Sequence, residues 1–242
     1  MKVSVIIPAA GLGTRMGKAA AEKTGTSRKQ FMLLDNEPIL LYTIRKFAAS
    51  PEVTDIIVAL RGEDAEWVTD MISGARIDKP VRVVEGGDSR QHSVLNALAT
   101  LAPDTDLVAV HDAVRPFIDL ETIGKVIQEA AETGAAIVGI VPVDTVKMVQ
   151  RNKIRQTIPR ERLVLAQTPQ VFRFELLQEA FRRAEADGFS GTDEASLVER
   201  LEKVEVSVVL GSERNIKITK PTDMEMARML LAQETAVSEG TH

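Results

Sequence analysis

Val3 to Lys29 reads VSVIIPAAGLGTRMGKAAAEKTGTSRK. Val3, Val5, Ile6 and Ile7 make a short β-branched run, the composition of a strand buried on both faces. Pro8 closes it, because proline removes a ladder donor. A strand therefore points into a loop carrying Gly11, Gly13 and Gly17, where backbone freedom lets N–H groups approach an anion closely. Arg15, Lys18, Lys23, Arg28 and Lys29 stand in this stretch against one acid, Glu22. Such a loop suits a polyphosphate. A dinucleotide loop would enter a helix within two or three residues and meet a second strand ending in a ribose-binding acid. Here a dozen mostly polar residues come first, and Asp35 follows only the short run Phe31–Leu34, so that reading fails. The plainer alternative is a tight turn with a solvated basic face.

Outward from this stretch the chain alternates. Leu40, Ile44 and Phe47 have helical spacing and stop at Ser50-Pro51. Asp55–Leu60 reads as a strand, Glu63–Ser73 as a helix and Val81–Glu85 as a strand. Leu107–Val110, a helix from Asp119 to Thr133, and the strand Ala135–Val141 continue the pattern. This βαβαβ order predicts an α/β fold with a mostly parallel sheet and helices on both faces. Ligands then bind beyond the carboxyl ends of the strands. Phe174, Leu177, Phe181 and Ala184 mark an amphipathic helix, Val204–Leu210 a strand, and Ile216–Thr219 a short strand carrying Lys217 before a closing helix capped by Thr222 and Glu225. Residues 233–242 read as a polar, frayed tail. Between Pro142 and Pro169, two alternating segments around a polar tip predict an extended hairpin. A two-stranded ribbon is marginal alone, so the arm is expected to pack on a second copy of the chain.

Length and composition bound the rest. The 242 residues suit one domain, and a formal net charge of −5 argues against a general nucleic-acid binder. There is no cysteine, so no disulfide framework or thiolate metal site, as befits a reducing cytoplasm. The apolar start of the chain runs into a charged glycine loop and reads as a strand, not a signal peptide. Ala135–Val141 is the longest apolar stretch, far short of the roughly 20 residues of a spanning helix.

Two acids follow strands. Asp88, after Gly86-Gly87, stands three residues before Gln91 and reads either as a helix cap or as an acceptor for the exocyclic amine of a base lying on the paired glycines. Asp112 ends a central strand, where a carboxylate can hold Mg²⁺ or a ribose hydroxyl; Arg115 can pair with it structurally or bind a phosphate. His111 reads as structural, and His92, His111 and His242 lack metal-ligand spacing. Thr192 reads as a cap.

PAAGLGTRMG, KQF, GGDSRQHSV, HDAVRPF, PVDTVK, QTPQVF, GTDEASLVE and NIKITKPTD follow one another in order across residues 3–232. Together they closely resemble the 2-C-methyl-D-erythritol 4-phosphate cytidylyltransferases of the non-mevalonate isoprenoid route. The ribitol-5-phosphate cytidylyltransferases are a near neighbour, similar in the loop, HDAVRP and QTPQ segments. A non-catalytic nucleotide-binding regulator is a third class, argued against by Arg15, Lys29 and Lys217 occurring together.

The resemblance implies a Rossmann-like nucleotidyltransferase sheet in a single domain, residues 1–232, with a β-arm at 142–169 for homodimerisation. It implies transfer of CMP from CTP to the polyol phosphate with Mg²⁺. Arg15 and Lys29 match transition-state stabilisers, and Lys217 and Arg160 also carry the chemistry. Ala10, Gly11 and Gly13 match nucleotide-binding positions; Gly87, Asp88 and Ser93 match cytosine-reading ones. Asp112 matches a position near ribose and metal. Arg115, Thr168, Thr192 and Lys217 surround the acceptor phosphate, while Thr145 and Arg160 on the arm reach the neighbouring subunit's site. One departure is a loop longer than the family's before Lys29, with Arg28 replacing a proline, which brings Lys18 and Lys23 into consideration as phosphate contacts.

Overall fold

A computed structural model describes residues 1–11 and 28–239. Gly13, Arg15, Gly17, Lys18, Glu22 and Lys23 lie outside the described residues.

The central sheet is built from the apolar runs. β1 (Val3–Pro8) pairs in parallel with β4 (Asp55–Leu60) and with β6 (Leu107–Val110), and β4 pairs with β5 (Val81–Glu85). β10 (Leu165–Arg173) runs antiparallel between β6 and β7 (Ala135–Ile140), and β11 (Ser207–Leu210) adds a parallel edge to β7. The order is β11-β7-β10-β6-β1-β4-β5. The chain leaves β1 toward β4 on one side and returns to β6 on the other, so a crevice opens beyond the carboxyl ends of β1 and β6.

Alternation along β1 divides the core. Val3, Val5 and Ile7 pack with α1 (Ile39–Ala48), α2 (Gly62–Gly74) and α4 (Leu120–Thr133) through Leu40, Phe47, Val68 and Val126. Ile6 faces the other layer, α3 (Arg90–Leu98), α5 (Phe174–Ala186) and α6 (Glu194–Glu199), through Val94, Phe181 and Leu197. Each such side chain contributes about 1.5–3 kcal/mol on full burial. Helix α4 shows the local logic: Asp119 accepts from Thr122 N at 2.7 Å, and Gly134, at φ 96°, closes the other end by donating to Ala130 O. The closing helix α7 (Pro221–Glu239) covers a third apolar group that includes Leu34 of the short hairpin β2 (Leu33–Leu34) and β3 (Glu37–Pro38).

β8 (Val146–Gln150) and β9 (Lys153–Ile158) form a separate two-stranded sheet, turning at Arg151 and Asn152 with φ of 49° and 61°. Both central residues at positive φ give the turn whose twist matches a hairpin.

Several expectations need correction. Ser89, not Asp88, caps α3, accepting from His92 N at 3.0 Å. Asp193, not Thr192, caps α6 through Ser196 N. Asp223, rather than Thr222 with Glu225, binds the backbone entering α7, accepting from Thr219 N at 2.7 Å and Lys220 N at 2.8 Å. In each case several residues of capping chemistry stand together and only backbone geometry chooses among them. Ile216–Thr219 joins no sheet; its backbone is tied inward by Ile218 N donating to Val114 O. β11 begins at Ser207 rather than Val204. The chain is back in the central sheet at Leu165, and the last helix runs through Gln233 to Glu239.

Candidate active site

Two cavities of about 260 and 250 Å³ adjoin at the crevice beyond β1 and β6, and both are lined by Arg90, Asp112 and Lys217.

The first is floored by the segment following β1. Gln30 donates to Ala9 O at 2.6 Å and Gly11 O at 3.1 Å, while Arg61 Nε donates to Ala10 O. These bonds fix the start of the glycine loop from its far side. Lys29, in a single 3₁₀ turn (Lys29–Phe31), is 8 % exposed and lines this cavity with Ala10 and Gly11. Arg28 pairs with Glu63 and Asp64 at the start of α2, anchoring the chain beside Lys29.

Opposite lies the turn after β5. A Cβ on Gly86 would stand 2.7 Å from that of Ala10, and one on Gly87 would stand 2.5 Å from that of His92, so neither position accepts a side chain without movement. Gly87 N donates to Ser93 Oγ, and that hydroxyl donates to Ser89 O at 2.8 Å. Asp88 is exposed at the rim, with no hydrogen bond or ion pair among the described residues. It does not cap α3, a role that Ser89 takes.

The second cavity is lined by Arg115, Gln167, Thr168, Gln170, Thr192 and Asp193 around the shared three residues. Asp112 is its electrostatic centre. Arg90 Nε lies 3.2 Å from Oδ1; Lys217 Nζ and Arg115 Nε lie 2.8 and 3.5 Å from Oδ2. Burial works to raise the Asp112 pKa, but Arg90, Lys217 and Arg115 hold it well below the ordinary carboxylate range. Arg115 also donates to Asn215 O at 2.6 Å, and Asn215 Nδ2 to Thr168 O at 2.9 Å. This ties the segment carrying Lys217 to β10.

Burial pushes the His111 pKa down to about 4, so the ring is neutral at pH 7. In that state Nε2–H donates to Arg115 O at 3.0 Å and Nδ1 accepts from the Thr168 hydroxyl at 3.1 Å. Thr168 Oγ1 in turn accepts from Asp112 N. The reading of His111 as structural fits this geometry.

The fold thus gathers Ala10, Gly11, Lys29, Gly87, Asp88, Ser93, Asp112 and Lys217 at one cavity and Arg115, Thr168 and Thr192 at the other. Thr145 and Arg160 stand apart: both are exposed near the hairpin, and Arg160 donates to Val143 O. Gly13 and Arg15 fall outside the described residues. The expected Mg²⁺ at Asp112 does not fit a resident ion, since both carboxylate oxygens face cations and the described residues contain no group of three metal-ligating side chains. Sequence reading passed over Arg90, Gln30 and Glu194. The signal for Arg90 is its place in the first turn of α3, where the helix dipole disfavours a cation.

Residues 3–233 match the family model described as 2-C-methyl-D-erythritol 4-phosphate cytidylyltransferase. Proteins of that name from Solibacter usitatus and Acidobacterium capsulatum are 64 % and 52 % identical, over 98 % of this chain and 99 % and 100 % of theirs. Among solved structures, a 4-diphosphocytidyl-2C-methyl-D-erythritol synthase from Anaerococcus prevotii superposes with a TM-score of 0.82 at 29 % identity, covering 95 % of this chain and 98 % of that one. A Francisella tularensis 2-C-methyl-D-erythritol 4-phosphate cytidylyltransferase gives 0.76 at 32 % identity, covering 95 % and 100 %. With matches along nearly its whole length, the chain belongs to the 2-C-methyl-D-erythritol 4-phosphate cytidylyltransferase family.

Proposed function

We infer that the chain transfers CMP from CTP to 2-C-methyl-D-erythritol 4-phosphate, giving 4-diphosphocytidyl-2-C-methyl-D-erythritol and pyrophosphate. The observation that carries this reading is the pair of adjoining cavities sharing Arg90, Asp112 and Lys217. One has the glycine backbone and rim carboxylate suited to a cytidine nucleotide; the other has the cations suited to a phosphate acceptor.

A phosphate oxygen of the acceptor attacks the α-phosphorus of CTP, forming a P–O bond as the bond to the β-phosphate breaks, and pyrophosphate leaves with the electron pair. No side-chain nucleophile is needed, so positioning and charge supply the catalysis. In this reading Ala10, Gly11 and Gly13 hold the triphosphate, and Arg15 and Lys29 stabilise the charge gathering on the α-phosphate. Asp88, Gly87 and Ser93 hold the cytosine. Asp112 orients Lys217 and Arg115 toward the acceptor phosphate, with Thr168 and Thr192 around it. Mg²⁺ arrives on the phosphates of CTP as part of the substrate, since such ions are usually bound through substrate phosphates and water.

The arm completes the proposal. Met148, Val149 and Ile154 are 51, 57 and 65 % exposed on the isolated hairpin, and an apolar ribbon of two strands is marginal in water. We take it as the surface that joins two chains and carries Thr145 and Arg160 toward the partner's site. The described residues contain no helix long and apolar enough to cross a membrane; with small polyanionic substrates and no cysteine, the cytoplasm is the setting proposed. Pyrophosphate release with CTP and each of two acceptors, methylerythritol 4-phosphate and ribitol 5-phosphate, tests the reading: turnover is expected with the first alone.

A further inference from the structure

We propose that Arg90 is a catalytic residue acting where the two cavities meet, and that Glu194 is the positioning residue that holds it there. This rests on the function proposed above.

Glu194 opens α6 on the opposite side of the site and is 1 % exposed. Its Oε1 and Oε2 accept from Arg90 Nη1 at 2.7 and 2.9 Å. Arg90 Nε reaches Asp112 Oδ1 at 3.2 Å. Two carboxylates therefore fix the guanidinium at Nε and Nη1, from different edges, and its Nη2 has no partner among the described residues. The side chain keeps 31 % exposure and lines both cavities.

Sinking a carboxylate this deeply is costly, and a well-packed apolar pair usually serves stability as well. The contact between β10 and α6 does not depend on it, because Gln170 already bonds Asp193 Oδ2 at 2.8 Å and Ala195 N at 3.0 Å. What the buried Glu194 adds is a fixed orientation for a long, flexible cation. A guanidinium set before the substrates arrive needs no reorganisation when charge develops. Its remaining N–H groups lie at the boundary where the α-phosphate of the donor and the phosphate of the acceptor must approach despite like charge.

The test measures CMP transfer in the full-length protein, with kcat and both KM values read separately. Arg90→Lys keeps one charge but loses the fork, and should lower kcat by ~10²-fold with a melting temperature close to that of wild type. Arg90→Ala should regain activity several-fold in added guanidinium chloride at low millimolar concentration. That rescue should vanish in Arg90→Ala/Glu194→Gln, because the anion that seats the guanidinium is gone. Glu194→Gln alone should lower kcat about tenfold while KM for CTP changes little. A kcat for Arg90→Lys within twofold of wild type would overturn the catalytic role. Equal rescue with and without Glu194 would overturn the positioning role. Wild type silent with both acceptors would overturn the proposed function, and this inference with it.

Discussion

The Lys217 ammonium lies 2.8 Å from Oδ2 of Asp112, joining the segment before the last helix to the end of the central strand β6. Arg90 and Arg115 crowd the same carboxylate, so the two partners differ in kind. Asp112 is the anion on which three cations depend, whereas Lys217 is a half-exposed arm resting on it. Asp112→Asn is expected to cost about 3–5 kcal/mol in urea unfolding, as breaking a buried ion cluster does. Lys217→Ala should cost under about 1 kcal/mol yet lower kcat by ~10². Equal stability losses for the two variants would refute this division of labour.

Lys29 sits in its 3₁₀ turn at the wall of the first cavity, held between the Gln30 contacts and the Arg28 anchor on α2. A cation acting on developing charge works in the transition state. Lys29→Ala should therefore lower kcat by ~10² or more while CTP affinity, measured by calorimetry, changes little. An unaltered kcat would move the role to Lys18 or Lys23.

Arg160 lines neither of the two cavities of its own chain. If it serves the partner's site, Arg160→Ala should raise KM for the acceptor more than it lowers kcat. Dimers exchanged between Arg160→Ala and Lys29→Ala chains should then regain activity, because one of the two sites recovers both residues. Exchanged dimers with no gain would show that sites are not shared.

His111 sets a pH dependence of stability. The unfolded imidazole takes a proton near its ordinary pKa of 6.5 and the folded one only near 4. The folded state thus gains stability from the neutral ring above pH 6.5 and loses it as pH falls through 4, a swing of ~3 kcal/mol. The stability gap between wild type and His111→Asn should shrink over that interval in denaturant titrations at stepped pH. A constant gap would mean that His111 is not held neutral by burial.

β1, β4, β5 and β6 are legible because each is a short run rich in β-branched residues, and the hairpin because its strands alternate. β10 is not. Gln167 and Thr168 fall within the stretch 142–169 read as the arm, yet they and Gln170 are buried because Asn215, His111 and Asp193 satisfy them. Only long-range partners make such a segment a central strand. The same reason hid Glu194: its partner Arg90 stands about a hundred residues earlier, on another helix of the same layer. For Asp88 the sequence left a cap and a base acceptor open, and the cap at Ser89 removes the first of these.

The most direct measurement is pyrophosphate release with CTP and Mg²⁺, comparing methylerythritol 4-phosphate with ribitol 5-phosphate at matched concentrations. The account predicts steady release with methylerythritol 4-phosphate and background with ribitol 5-phosphate. Release with ribitol 5-phosphate alone, or with neither, would contradict it.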